Sequence, residues 1–232
     1  MDDLLKRWEL SVEDLTKIVD ENPSLRGFMM GYVSEAKVRS MFFSDGRIEE
    51  VKKDDDHDRK KKGDLTFKYK GHEMRVEAKS LQTNSVKRGE DLVQGKFQCD
   101  ASDCRDVLLP SGKTVKTTCL LVGEFDIIAV NLFAFENTWK FAFARNSLLP
   151  RVGARTKKIE PEDKQYLLST LMDITWPLQA PFVEDPFVLL DEIIAEKEAS
   201  AATGATPQTP QRIEKPIVLE DVVSLEKEEE LG

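Results

Sequence analysis

Within GDLTFKYKGHEMRVEAKS, residues 63–80, twelve residues separate an aspartate, Asp64, from the triplet Glu77-Ala78-Lys79. Two carboxylates supply the hard oxygen ligands that Mg2+ takes. A lysine beside them can position or polarise a water for attack on a phosphate. A divalent ion at such a site binds a phosphate oxygen, acidifies the attacking water and offsets charge on the departing oxygen. That chemistry is phosphodiester hydrolysis without a covalent intermediate. The same letters also suit three charged residues on a surface hairpin, and both readings stand at this point.

The elements that must position these residues are legible in the surrounding pattern. Leu65, Phe67 and Tyr69 alternate with Asp64, Thr66 and Lys68, while Met74, Val76 and Ala78 alternate with Arg75, Glu77 and Lys79. Lys70-Gly71-His72-Glu73 supplies a turn between the two runs, so the pair reads as a β-hairpin. On it Asp64, Glu77 and Lys79 share one polar side. Upstream, Ser11 to Asp14 is a weak helix start, and Asn22-Pro23 a stronger one that opens a helix to about Phe43. Gly27 and Gly31, four apart on that helix, would let another backbone pack closely. SDGR, residues 44–47, ends it.

Downstream, TTCLLVGEFDIIAVNLFAF (117–135) is almost continuously apolar, as in a strand buried on both faces by packed helices. WKFAFA reads as a further strand. DKQYLLSTLMDI (163–174) and DPFVLLDEIIAEKEA (185–199) read as helices, the second opened by Asp185-Pro186. The expected organisation is one α/β domain over 1–195 and a disordered acidic tail over 196–232, with IVLEDVVSL as a docking segment for a protein partner.

The Asp-x12-Glu-x-Lys pattern resembles that of the PD-(D/E)xK nuclease superfamily, which includes many type II restriction endonucleases and archaeal Holliday-junction resolvases. Gly63-Asp64 stands where the family usually has Pro-Asp. Glu35 in RGFMMGYVSE matches the acidic residue that members carry on a preceding helix, and the likeness extends over roughly residues 22–150. The resemblance implies a restriction-endonuclease-like core, a central mixed β-sheet flanked by helices. It implies Asp64, Glu77 and the Ala78 carbonyl as metal ligands, with Glu35 binding a second ion or an outer-shell water. Lys79 would position the water or steady the transition state. A glutamine-bearing helix would follow the triplet, with Gln94 or Gln98 facing the site and Gln98 orienting the lysine or a phosphate. Ser80 is either a phosphate contact or a strand-end serine. The implied activity is a Mg2+-dependent DNA endonuclease, with Mn2+ able to substitute, in restriction, phage defence or DNA repair. Cutting both strands of a duplex implies a homodimer or larger assembly. An RNA substrate, or a non-catalytic binding or assembly module, would keep the same fold.

Composition constrains the remainder. The formal net charge is -9, yet residues 52–96 hold thirteen Lys/Arg against nine Asp/Glu, so a local basic field can meet nucleic acid. Arg59 to Lys62 are candidate phosphate contacts, and the preceding run, Asp54, Asp55, Asp56, His57 and Asp58, reads as a solvated loop. Residues 80–116, with the LPSGKTVK loop, are the place to expect base-reading elements. Cys99, Cys104 and Cys119 form no CxxC pair and read as buried or free thiols. Asp126 either joins the site or has a structural role. No apolar run approaches the ~20 residues of a membrane helix and no secretory signal is visible, so a cytoplasmic protein is expected.

Overall fold

The computed structural model describes residues 3–53, 64–153, 159–203 and 211–212. Three helices lead the chain: α1 (Leu4–Arg7), α2 (Val12–Glu21) and α3 (Pro23–Met41). The Ser11 hydroxyl accepts the Asp14 amide proton while the Asp14 carboxylate accepts from the Ser11 amide, a reciprocal cap that starts α2. Proline at the first position of α3 fits because the N–H it lacks would have no partner there.

The central sheet has five strands in the order β1 (Ile48–Lys53), β2 (Leu65–Tyr69), β3 (His72–Ser80), β8 (Ile127–Asn131) and β9 (Phe141–Arg145). The β3–β8 pair is parallel and the others are antiparallel, so the sheet is mixed. The β2–β3 hairpin is tighter than the sequence suggests. Lys70 and Gly71 alone form the turn, with φ of 49° and 79°, and His72 already pairs with Tyr69 in the strand. Two positive φ values in a two-residue loop match the right-handed twist of the flanking strands.

One face of this sheet packs Leu65, Phe67, Met74, Val76, Ile127 and Phe143 against Val38 of α3 and against Phe187 and Leu190 of α5 (Pro186–Thr203). The other face carries Ile128, Val130, Ala142 and Ala144 and meets a second sheet rather than a helical layer. That sheet comprises β10 (Leu171–Trp176), β5 (Val93–Gln98) and β4 (Lys87–Arg88), whose Phe97, Met172 and Ile174 point into the same core. The short helix α4 (Phe133–Glu136) contributes Phe135. A third sheet joins β6 (Asp100–Leu108) and β7 (Thr114–Cys119) to β11 (Gln211–Arg212). Burying each of these large apolar side chains contributes about 1.5–3 kcal/mol.

Three expectations need correction. The 163–174 segment is not a helix: after a short turn of 3-10 helix at Lys164–Tyr166 it becomes β10, where Met172 and Ile174 are buried and Leu171 and Asp173 exposed. The period is two, concealed by helix-favouring Leu, Met and Gln. The 117–135 run is not one strand. It splits at a turn with Gly123 at φ 81°, and only Ile127–Asn131 is buried at every position. Glu124 holds that turn through the Leu121 amide and a buried pair with Arg105, both oxygens at 2.5 Å from the guanidinium. The segment bearing Gln94 and Gln98 is strand β5, not a helix.

Gly95 explains the β5 packing. A Cβ there would lie 2.9 Å from the Phe135 ring and 3.4 Å from Leu81. Gly95→Val is expected to destabilise the protein by about 1–3 kcal/mol through overpacking, measurable as a lower urea midpoint at unchanged m-value. Gly27 and Gly31 behave oppositely, since a Cβ at either meets nothing within 4 Å. The close packing expected along that face is therefore not made among the described residues.

Helix α5 runs through Thr203, so it extends into the segment read as tail. Its Glu196 pairs with Arg145, and Lys197 with Asp126 at 2.8 Å. The segments 54–63 and 213–232, including Asp54 to Lys62 and IVLEDVVSL, lie outside the described residues. Among the described residues no helix is long and apolar enough to cross a membrane.

Candidate active site

Strand β3 is the element that carries the site. It runs between β2 and β8, so its backbone is held on both sides while Glu77 and Lys79 project from one face. Glu77 pairs in register with Ile128 and Lys79 with Val130, which places them on the side that meets the second sheet. Asp64 lies just before β2. Its amide donates to the Val76 carbonyl at 2.9 Å, and its carboxylate Oδ2 accepts the Ala78 amide proton at 2.7 Å. A side chain thus replaces the ladder bond that β2 would have made one residue further on. Within a strand the N–H and C=O of one residue point the same way. The Ala78 carbonyl therefore faces the Asp64 edge.

Lys79 Nζ is 2.8 Å from Glu77 Oε1 and donates to the Asp100 carbonyl at 3.2 Å. The two side chains keep only 21% and 11% of their exposure. Burial alone would pull the Lys79 ammonium down, but the charges of Glu77 and Asp64 outweigh it and hold the group above its ordinary value. Asp64 shows the opposite balance. Burial first, then repulsion from Glu77, pushes its carboxyl up to about 8, against relief from Lys79 and the Ala78 amide, and Glu35 adds to the rise. Asp64 and Glu77 therefore flank one ammonium, and Glu35 adds negative charge on the Asp64 side.

Each candidate catalytic or metal-ligating residue has a definite place. Asp64, Glu77, Ala78 and Lys79 are together. Glu35, half-buried on α3, acts on Asp64 through its charge. Gln98 lies on the exposed side of β5, where its amide nitrogen donates to Asp100 Oδ2 at 2.9 Å and its oxygen accepts from Gln82 at 3.4 Å. It reaches Lys79 only through Asp100, and from a strand rather than from the helix expected. Gln94 faces Asp173 at 3.4 Å on the same sheet. Ser80, half-buried, accepts from the Asn131 amide at 3.4 Å, which also contacts Met30 of α3. Asp126 has the structural role: its carboxylate takes the Arg75 amide proton at 2.8 Å and pairs with Lys197.

Two neighbours of Lys79 escaped the sequence reading. One is the Asp100 carbonyl, a backbone group on another sheet that no side-chain pattern signals. The other is Cys99, a buried thiol whose first perturber is burial; this pushes it up to about 12, above any range where a thiolate nucleophile forms at neutral pH. Cys119 is also buried and Cys104 exposed, and all three thiols are free.

Oxygen donors of two carboxylates and one strand carbonyl, in a locally negative field, suit a hard divalent cation. Among the described residues, no three His, Cys, Asp or Glu side chains gather as a ready-made ligand group, so the donor set relies on the Ala78 carbonyl. In comparisons with family models, curated proteins and solved structures, nothing matches this chain.

Proposed function

We propose that this chain is a metal-dependent endonuclease that hydrolyses phosphodiester bonds in DNA, built on a restriction-endonuclease-like core. One observation carries the reading: Asp64, Glu77 and Lys79 meet at the end of the β2–β3 hairpin, with the Ala78 carbonyl aimed to the Asp64 side. Asp64, Glu77 and that carbonyl would hold Mg2+ or Mn2+. When bound, such an ion supplies Lewis acidity toward a phosphate oxygen and a water.

The chain's own groups do the remainder. Lys79 spends two of its three donors on Glu77 and the Asp100 carbonyl, which fixes the ammonium and directs the third at a water or phosphate oxygen. Held charged by its carboxylate neighbours, it steadies negative charge that develops in the transition state. Glu35 adds negative potential that favours cation entry. Gln98 braces Asp100, whose carbonyl receives Lys79, and so acts as a positioning residue.

The test is incubation of the purified chain with supercoiled plasmid, and in parallel with RNA of matched length. Nicked or linear plasmid in Mg2+ or Mn2+, absent with EDTA, is the expected result. Intact plasmid under every metal condition contradicts the proposal, and cleavage confined to RNA reassigns its substrate.

A further inference from the structure

The second sheet turns an open, polar face away from the core. Inward, the buried Gly95 and Phe97 of β5 lie opposite Ile174 and Met172 of β10. Outward, Gln94, Lys96 and Gln98 alternate with them, and Asp173 stands in register with Lys96, Leu171 with Gln98. Lys87 of β4 extends the row opposite Gln94. These side chains touch one another loosely: Gln94 and Lys96 each reach the Asp173 carboxylate at 3.4 Å, and Gln82 reaches Gln98 at the same distance. Lys96 and Asp173 keep 44% and 57% of their exposure. Contacts that long and that wet contribute little, so the groups can exchange them for others.

Two strands tie this face directly to the candidate active site. The chain continues from Lys79 to Leu81, which bridges Phe97, and the Gln82 amide donates to the Lys96 carbonyl at 2.8 Å. Strand β5 runs from Val93 to Gln98 and leads into Asp100, whose carbonyl receives Lys79. Positions along the face are therefore fixed relative to Lys79.

We propose, building on the nuclease reading, that this face lies in the major groove of B-form DNA and reads base edges beside the cut, with Gln94 and Lys96 as specificity-determining residues. Dimensions favour that occupant. Alternate residues on a strand stand about 6.6–6.8 Å apart, two base-pair rises, so Gln94 to Gln98 spans about four base pairs. The major groove admits a two-stranded β-ribbon such as β5–β10. Chemistry favours it too. A glutamine amide matches the donor and acceptor edge of adenine, a lysine the O6 and N7 acceptors of guanine, and an aspartate the amino group of cytosine. Charge is complementary: strands β4, β5 and β10 hold Lys87, Arg88 and Lys96 against Asp173, in a chain of net charge -9. Glu90 and Asp91 lie in the turn at the opposite end of β5 from Asp100. Among these outward residues Leu171 is the one large apolar group, too little for the core of a protein interface. A-form RNA closes its major groove to side chains, so the face selects DNA over RNA. Lys87, at the rim, would meet a phosphate. Gln98 stays committed to Asp100.

The test is selection of duplex DNA with a randomised centre on the full chain, in EDTA and again in Ca2+, so that binding rather than cleavage is read. Affinities for the retained sequences are then measured by fluorescence anisotropy at fixed salt. Wild type is expected to enrich a motif of about four base pairs and to prefer it about 100-fold over a scrambled duplex. Gln94→Ala and Lys96→Ala should each lose about 10-fold of that preference, at different positions of the motif. Lys87→Ala should weaken binding to all sequences alike and lower the salt dependence by about one counterion. None of the three side chains is buried, and unchanged circular dichroism separates these losses from misfolding. Binding without any motif, a motif that both reader variants leave intact, or equal competition by duplex RNA overturns the proposal. Sequence-selective binding by a chain that never cuts would keep the reader and fail the nuclease. Cleavage of plasmid with no selected motif would do the reverse.

Discussion

Lys79→Ala is expected to lower single-turnover cleavage by about 10^3-fold or more while the protein stays folded. Among the described residues Lys79 is the cation that touches Glu77, and it donates to the Asp100 carbonyl of the third sheet. Its loss removes the donor proposed to meet developing charge and leaves Glu77 without its ion-pair partner. The stability cost should be about 1–3 kcal/mol, below that of breaking a fully buried pair, because both side chains keep some contact with water. The apolar layers on either side of the central sheet are untouched, so the cooperative transition should persist. Cleavage at the wild-type rate by a folded Lys79→Ala protein would remove the lysine from the mechanism.

Asp64→Asn is expected to abolish cleavage equally and, without metal, to stabilise the protein by about 1–2 kcal/mol above pH 8, the trade-off typical of crowded active-site charges. The sign follows from the carboxyl, raised in the folded state from 3.8 to about 8 by burial and by Glu77. Between those values the folded chain binds a proton that the unfolded chain does not. Stability tied to Asp64 therefore declines as pH rises from about 4 to about 8 and is flat above. Asparagine keeps an oxygen for the Ala78 amide and has no such slope. Urea unfolding with EDTA at acidic, neutral and alkaline pH should show the gap between variant and wild type widening upward. A variant less stable than wild type at alkaline pH would mean that Asp64 is not crowded.

The hairpin, α3 and α5 were legible in the sequence because each announces itself locally: strict alternation around Gly71, proline at a helix start, and an apolar face after Asp185-Pro186. From the hairpin alone, Asp64, Glu77 and Lys79 fall on one side. The second sheet was not legible. Strand β5 carries Gln94, Lys96 and Gln98 on its outer side, mimicking a helical polar face, and β10 exposes an apolar Leu171 beside Asp173. The inward alternation of Gly95, Phe97 and Cys99 includes a glycine that looks like an interruption. Its role is visible only against Phe135, forty residues later. Nor could a side-chain pattern reveal the Asp100 carbonyl that anchors Lys79, or that among the described residues a Cβ at Gly27 or Gly31 would meet nothing within 4 Å. Those facts belong to tertiary packing.

The most direct measurement is calorimetric titration of the metal-free chain with Mn2+ at pH 7, repeated in buffers of different ionisation heat. A cation held by Asp64 and Glu77 must displace the proton that Asp64 retains below about 8. The predicted result is saturable binding coupled to proton release, tightening as pH rises toward 8 and lost in Asp64→Asn. Binding that is absent up to about 10 mM Mn2+, or undiminished in Asp64→Asn, would contradict the assignment of these carboxylates as the metal site.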